Sequence, residues 1–180
     1  MSTLGTLDAV PALTRTDLLA SSVVAAIAAR SDGTAIFVAP IDPEVADTQA
    51  FCERYGVRMD QSANCVIVAA KREGRRWFAA CVVLATTRAD VNGLVKKHLG
   101  AAKISFAPMD EAVAETGMEY GGITPLGLPP DWPVLIDDAV AAAGEVVIGS
   151  GVRRSKLILS GNALAATPNV TVLTSLGTVR

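Results

Sequence analysis

Histidine is nearly absent from this 180-residue chain; His98 is the single copy. A Ser-His-Asp or Cys-His arrangement therefore has one candidate base. That base sits beside Lys96 and Lys97 at the end of a predicted helix, where the helix dipole favours a solvated cation. Aromatic residues make up only 4% of the chain against 51% hydrophobic, so the core is expected to be built from Ala, Val, Ile and Leu. Cys52, Cys65 and Cys81 are the three cysteines. They are too widely spaced for a zinc knuckle or a redox pair, which suggests buried thiols and a reducing compartment. No cluster has metal-ligand spacing, there is no P-loop, and no Gly-x-Gly-x-x-Gly follows a strand. The expectation is a protein with neither metal nor cofactor. The net charge of −2 gives no global pull toward nucleic acid or an anionic membrane, so a polyanion would need a local basic patch. No apolar run approaches membrane-spanning length. Leu18–Ala29 is Ala-rich like a leader segment, but Asp17 precedes it and Ser21 and Ser22 interrupt it. Leu18, Leu19, Val23, Ala26 and Ile27 instead form one helical stripe, predicting a helix over 16–30 capped by Thr16 or Asp17.

What the chain has is a segment built almost without side chains. Residues 117–129 contain four glycines and two prolines. Gly admits backbone angles closed to other residues, and Pro fixes one angle and removes a donor, so neither a helix nor a central strand fits. Such a loop is either a tight connection or a place where the main chain meets a small ligand.

Around it the patterns alternate between helix and strand. A strand is expected at 35–39, then a helix capped by Asp42 with Pro43 at its first position, running to Tyr55 and stopped by Gly56. Two apolar β-rich runs, 65–70 and 77–85, flank the turn 71–76 and read as a hairpin buried on both faces. A helix over 88–99, a strand at 104–106, a helix opened by Pro108 and ended by Gly117, and a strand at 134–136 before a short Ala-rich helix come next. Strands at 146–148 and 157–159 form a second hairpin, Ser160 starts a last helix, and 170–173 closes as a strand. Helices mixed with antiparallel pairs give an α+β class, a mixed sheet with helices outside. Basic residues gather at Lys71/Arg72/Arg75/Arg76, at Lys96/Lys97/Lys103 and at Arg153/Arg154/Lys156. Each is a solvated face taken singly; two flanking the glycine loop would make a phosphate backbone a credible ligand.

Taken in order, Glu115-Thr116-Gly117, Gly121-Gly122-Ile123-Thr124-Pro125-Leu126-Gly127, Asp137 and Gly149-Ser150-Gly151 resemble the YbaK/prolyl-tRNA-synthetase editing-domain family. Arg88-Ala89-Asp90 and Leu99-Gly100 upstream agree in order and spacing, and the resemblance spans about residues 30–175. It implies one domain over 1–180, with an N-terminal helical extension to about residue 30. It also implies a curved, barrel-like mixed β-sheet flanked by helices. The implied activity is hydrolysis of the ester of a mischarged aminoacyl-tRNA in the cytoplasm. The partners would be a tRNA acceptor end carrying a small amino acid and an aminoacyl-tRNA synthetase.

The family's Gly-x-x-x-Pro loop corresponds to Gly121–Pro125. An aminoacyl ester is already activated, so backbone donors that polarise its carbonyl, with a positioned water, suffice without a side-chain nucleophile. On this resemblance Gly121, Gly122 and Asn64 are the catalytic candidates. Ile123, Thr124, Pro125, Arg88, Asp137, Gly149, Ser150 and Gly151 would surround the substrate. One position departs from the family. Its Gln-x-x-Lys pattern reads here Gln61-Ser62-Ala63-Asn64, and Asn carries no charge for a terminal phosphate or a developing oxyanion. The same fold is therefore also compatible with a non-catalytic module that binds a nucleotide, a tRNA end or a synthetase.

Overall fold

The computed structural model describes residues 4–179. Its elements follow the apolar runs and glycine stops of the sequence: β1 (Val10–Pro11), α1 (Ser21–Ala28), β2 (Phe37–Pro40), α2 (Thr48–Tyr55), β3 (Ala63–Arg72), β4 (Arg75–Leu84), β5 (Thr87–Ala89), α3 (Lys96–His98), β6 (Lys103–Phe106), α4 (Met109–Thr116), β7 (Val134–Asp137), α5 (Asp138–Ala141), β8 (Val146–Gly149), β9 (Ser155–Leu159), α6 (Gly161–Ala165), β10 (Val170–Leu173) and β11 (Gly177–Val179). The strands form a five-stranded sheet ordered β10-β7-β4-β3-β6, a four-stranded sheet ordered β1-β2-β9-β8, and the pair β11-β5. The five-stranded sheet is mixed: β7 runs parallel to both β4 and β10, while β3 is antiparallel to β4 and β6. A single parallel bridge, Ser62 to Val147, ties the start of β3 to β8. The α+β class holds, and the strands stay in separate sheets with no closed barrel among the described residues.

The hairpin β3–β4 is the spine. Ile67, Ala80 and Val82 face the main core, while Val68, Ala79, Cys81 and Val83 face a second one beneath Val91, Val95 and Leu176. Burial on both faces explains the near-continuous apolar runs. The strands reach further than the apolar pattern suggests, to Arg72 and Arg75. Glu73 and Gly74 both have positive φ, 49° and 78°, so two residues suffice to reverse the chain as a type I′ turn.

Three expected helices differ from the sequence reading. The one placed at 16–30 begins at Ser21, after two 3-10 turns, and Ala20 caps it without a side-chain bond. Neither Thr16 nor Asp17 caps it; tertiary contact replaces the cap, with Ala20 N–H donating to Ser150 O. The one placed at 42–55 is broken. Asp42 caps a 3-10 turn over Pro43–Val45, Asp47 caps α2, and Gly56 ends it in the left-handed region. The one placed at 88–99 starts as strand β5; Asp90 then accepts from Gly93 N–H and Leu94 N–H to open a π-turn that leads into α3. The N-terminal thirty residues contribute Leu18, Leu19, Val23 and Ile27 to the main core.

Candidate active site

A cavity of about 700 Å³ opens between the two larger sheets. Its floor is the first half of β3, Ala63–Ile67. One wall is the entry to α2, Ala46–Gln49. The opposite wall is Tyr120, Gly121 and Ile123 of the glycine loop. Gly149, Arg153 and Lys156 close it from the β8–β9 side. Phe106, Met109 and Tyr120 stand at its mouth and are 63%, 55% and 60% exposed, an unusual expense for large apolar groups unless something stacks there.

The loop takes this shape through close approach of backbones. A Cβ on Gly122 would lie 2.6 Å from the carbonyl carbon and oxygen of Val152, and one on Gly149 would lie 2.5 Å from Gly122 O and 2.7 Å from Ile123 O. Gly122 N–H donates to Glu119 O (2.9 Å), and Gly151 N–H donates to Gly122 O (2.7 Å). Both backbone groups of Gly122 are thus used to hold the loop. The N–H groups of Gly121 and Ile123 donate to no other group among the described residues, and both residues line the cavity. Arg153 straps the mouth, donating to Tyr120 O (3.2 Å) and Pro43 O (3.0 Å). Its own N–H donates to Glu119 Oε2 (2.7 Å).

Asn64 is on the floor. Its Oδ1 accepts from Thr48 Oγ1 at 2.6 Å, which leaves the amide N–H groups as donors toward the cavity. Cys65 is its neighbour on the cavity lining, but burial, with Cys81 adjoining, pushes its thiol well above the ordinary range. A protonated thiol is no nucleophile. Among the described residues Lys156 is the one buried cation: 8% exposed, its Nζ donates to Ala46 O (3.1 Å) and lies 5.3 Å from the Phe51 ring centre. Burial lowers its pKa to about 8; nearby Cys52 and Asp47 act against that fall and Arg153 adds to it.

Of the residues singled out in the sequence, Asn64, Gly121, Ile123 and Gly149 line this cavity. Gly122 braces the loop behind them. Thr124 is fully buried, its hydroxyl without a partner, and Pro125 faces a separate cavity of about 240 Å³ on the far side of the loop. Ser150 is buried, and its one hydroxyl hydrogen has Ser155 Oγ (2.7 Å), Ser155 O (3.0 Å) and Val152 O (3.1 Å) as acceptors within reach. Gly151 packs against Ala20, which caps α1, and Val23 within it. Asp137 caps α5 through Ala139 N–H and accepts from Gly177 N–H (2.6 Å). Arg88 is the exposed residue of strand β5, paired with Thr178, outside the cavity lining. Sequence reasoning did not single out Thr48, Phe106, Met109 and Tyr120. Tyr120 stood inside the loop, and Lys156 and Arg153 stood in a basic cluster, but only packing brings them to one cavity.

A sequence profile for the aminoacyl-tRNA editing domain matches residues 42–167. No curated protein matches the sequence. Among solved structures, a candidate trans-editing enzyme for prolyl tRNA synthetase superposes with a TM-score of 0.73 at 20% identity, over 86% of this chain and 94% of the other. A hypothetical protein superposes with a TM-score of 0.72 at 21% identity, over 82% of this chain and 95% of the other. At these identities the superpositions speak to the fold, which is that of YbaK-like trans-editing domains. The profile match covers well over half of the sequence, and the chain belongs to the aminoacyl-tRNA editing domain family.

Proposed function

We propose that this protein hydrolyses the ester of a mischarged tRNA carrying a small amino acid, in the cytoplasm and in trans to a synthetase. The observation that carries the reading is the pair of uncommitted N–H groups, Gly121 and Ile123, on the wall of a cavity of about 700 Å³. That volume suits an aminoacyl-adenosine rather than a free amino acid. In the proposed reaction the two N–H groups hold the aminoacyl carbonyl oxygen and stabilise the oxyanion as a water attacks. Preorganised backbone donors of this kind are worth about 10²–10³ in rate each. The leaving group is the ribose hydroxyl of the terminal adenosine, and the adjacent hydroxyl of the same ribose can assist the water. Asn64 donates from the floor to the ribose. Phe106 and Tyr120 at the mouth offer faces on which an unpaired base stacks. Gly149 keeps the β8 side open beneath the loop, while Gly122, Thr124, Pro125, Ser150, Gly151 and Asp137 hold the scaffold.

Hydrolysis of a panel of mischarged tRNAs, including alanine, serine and cysteine esters, tests this reading. Turnover above buffer for at least one ester at micromolar enzyme is expected; none for any of them would overturn it. A second reading, a binding module for the tRNA end or a synthetase, is favoured by Asn64 standing where the family carries Lys. An Asn64→Lys variant separates the two. Gain of hydrolysis where the native protein has none identifies a binder.

A further inference from the structure

The floor of the cavity carries the uncharged Asn64, while Lys156 brings a charge to the same lining. We infer that Lys156 is the residue that takes the anionic phosphate of the substrate, supplying from β9 the charge that Asn64 does not carry on β3. This rests on reading the cavity as the seat of a tRNA 3′ end, and it goes beyond that reading by assigning the phosphate a partner.

Three observations converge on Lys156. First, it interrupts a buried strand, Ser155–Leu159, whose next three residues are Leu157, Ile158 and Leu159. A buried, uncompensated ammonium destabilises a fold, and an apolar side chain of similar volume is usually tolerated or better there. Packing gives the charge one carbonyl and one aromatic face, Ala46 O and the Phe51 ring, and no counter-ion. Second, the ammonium is underused. It has three donors, and Ala46 O is its single hydrogen-bond partner among the described residues. No carboxylate lies within 4.0 Å of it among those residues. The other cation on the lining, Arg153, already spends its guanidinium on the carbonyls of Tyr120 and Pro43. Third, its position is central to the site. Lys156 is opposite Gly149 in the β8–β9 register, and Gly149 lies against the carbonyls of Gly122 and Ile123. On its other side it bonds Ala46, two residues from the Thr48 that holds Asn64. A charge at either 64 or 156 would face the same cavity from opposite sheets. At neutral pH the ammonium is still largely protonated, since burial lowers its pKa only to about 8.

The test uses two hydrolysis-resistant probes, 3′-alanylamino-adenosine with and without a 5′-phosphate, titrated calorimetrically at pH 7 into the full-length protein. The native protein is expected to prefer the phosphorylated probe by about tenfold or more, the scale of one charge-assisted contact. Lys156→Met is expected to abolish that preference. Asn64→Lys/Lys156→Met is expected to restore it, because the charge returns to the same cavity from the other sheet. A thermal melt of each variant checks that it is folded. Survival of the preference in Lys156→Met, or its absence from the native protein, overturns the assignment. Hydrolysis of mischarged tRNA keeps the two readings apart. If esters are hydrolysed but the preference is absent or indifferent to Lys156, the deacylase stands and the phosphate partner falls. If the preference depends on Lys156 and no ester is hydrolysed, the anion site stands and the deacylase falls.

Discussion

At Gly122 an added Cβ would meet the N, C and O atoms of Val152, all within 2.8 Å. A backbone neighbour cannot rotate away as a side chain can. Gly122→Ala is therefore expected to shift the loop, lowering stability by about 1–3 kcal/mol and turnover by about tenfold or more, since a small misplacement of donors is costly. Gly144, with nothing within 4 Å of its virtual Cβ, is the control: Gly144→Ala should stay within about 0.5 kcal/mol. Thermal melts and a deacylation assay on both variants measure the contrast. Lys156 gives a pH signature at the same scale. Its folded pKa, about 8, lies below the ordinary 10.5. Between those values the unfolded chain holds the extra proton, so this group makes stability rise with pH across that window, and below it the cost of burial is present in full. Lys156→Met removes the cost. The variant's advantage over the native protein should reach at most about 3 kcal/mol at pH 7 and shrink toward zero by pH 10.5. Cys65 and Cys81, the latter pushed up to about 12, give the opposite slope above pH 9 in both proteins and cancel in the difference. Urea denaturation at a series of pH values reads it.

The connection between β8 and β9 is the element that places the loop. Gly149-Ser150-Gly151 resembled a ligand wall in sequence, and only Gly149 reaches the cavity. Ser150 is used inward, its hydroxyl shared with Ser155 Oγ, Ser155 O and Val152 O. Ser155 Oγ in turn donates to Leu18 O, and this ties the connection to the N-terminal segment. Ser150→Ala is expected to cost about 1–2 kcal/mol in urea denaturation through the unpaired buried groups left behind, with kcat changed less than threefold. A loss of kcat larger than the loss of stability explains would give Ser150 a direct role. The ends of α2 and α4 were legible because their stops are local: Gly56 and Gly117 both sit at φ near +66°, which Gly adopts without strain. The start of α1 was not legible. Its first N–H groups are satisfied in part by Ser150 O, some 130 residues away, and no local pattern announces that.

Across the whole molecule, residues 4–30 supply part of the core. Leu18, Leu19, Val23 and Ile27 join the main cluster, β1 pairs with β2, and Gly127 and Gly151 have no room for a Cβ because α1 lies against them. A protein shortened to begin at Asp42, where the family match begins, would lose β1, β2 and α1 together. It is expected to show no cooperative urea transition and to bind a hydrophobic dye, whereas the full chain unfolds cooperatively. The basic clusters also change meaning at this scale. Lys71 pairs in register with Arg76 on one side and Lys103 on the other, and Arg72 donates to Gly100 O. Two clusters therefore merge at the end of the β3–β4 hairpin away from Asn64 instead of flanking the glycine loop. Only the third, Arg153 and Lys156, reaches the cavity.

The sequence by itself determined the order of the main strands and helices from β2 to β10, the two-faced burial of the β3–β4 hairpin, the glycine loop and the editing-domain family. Those features rest on local backbone chemistry and hydrophobic period, which are written residue by residue. Tertiary structure decided which N–H groups of the loop remain free, why Gly127 and Gly151 are glycine, and which side chains share a wall. Gly122 looked like the donor and became the brace, because its partners Glu119 and Gly151 are fixed by packing. Asn64 looked like a missing charge. Lys156, 92 residues later, is close in space only because the sheets that carry β3 and β9 enclose one cavity.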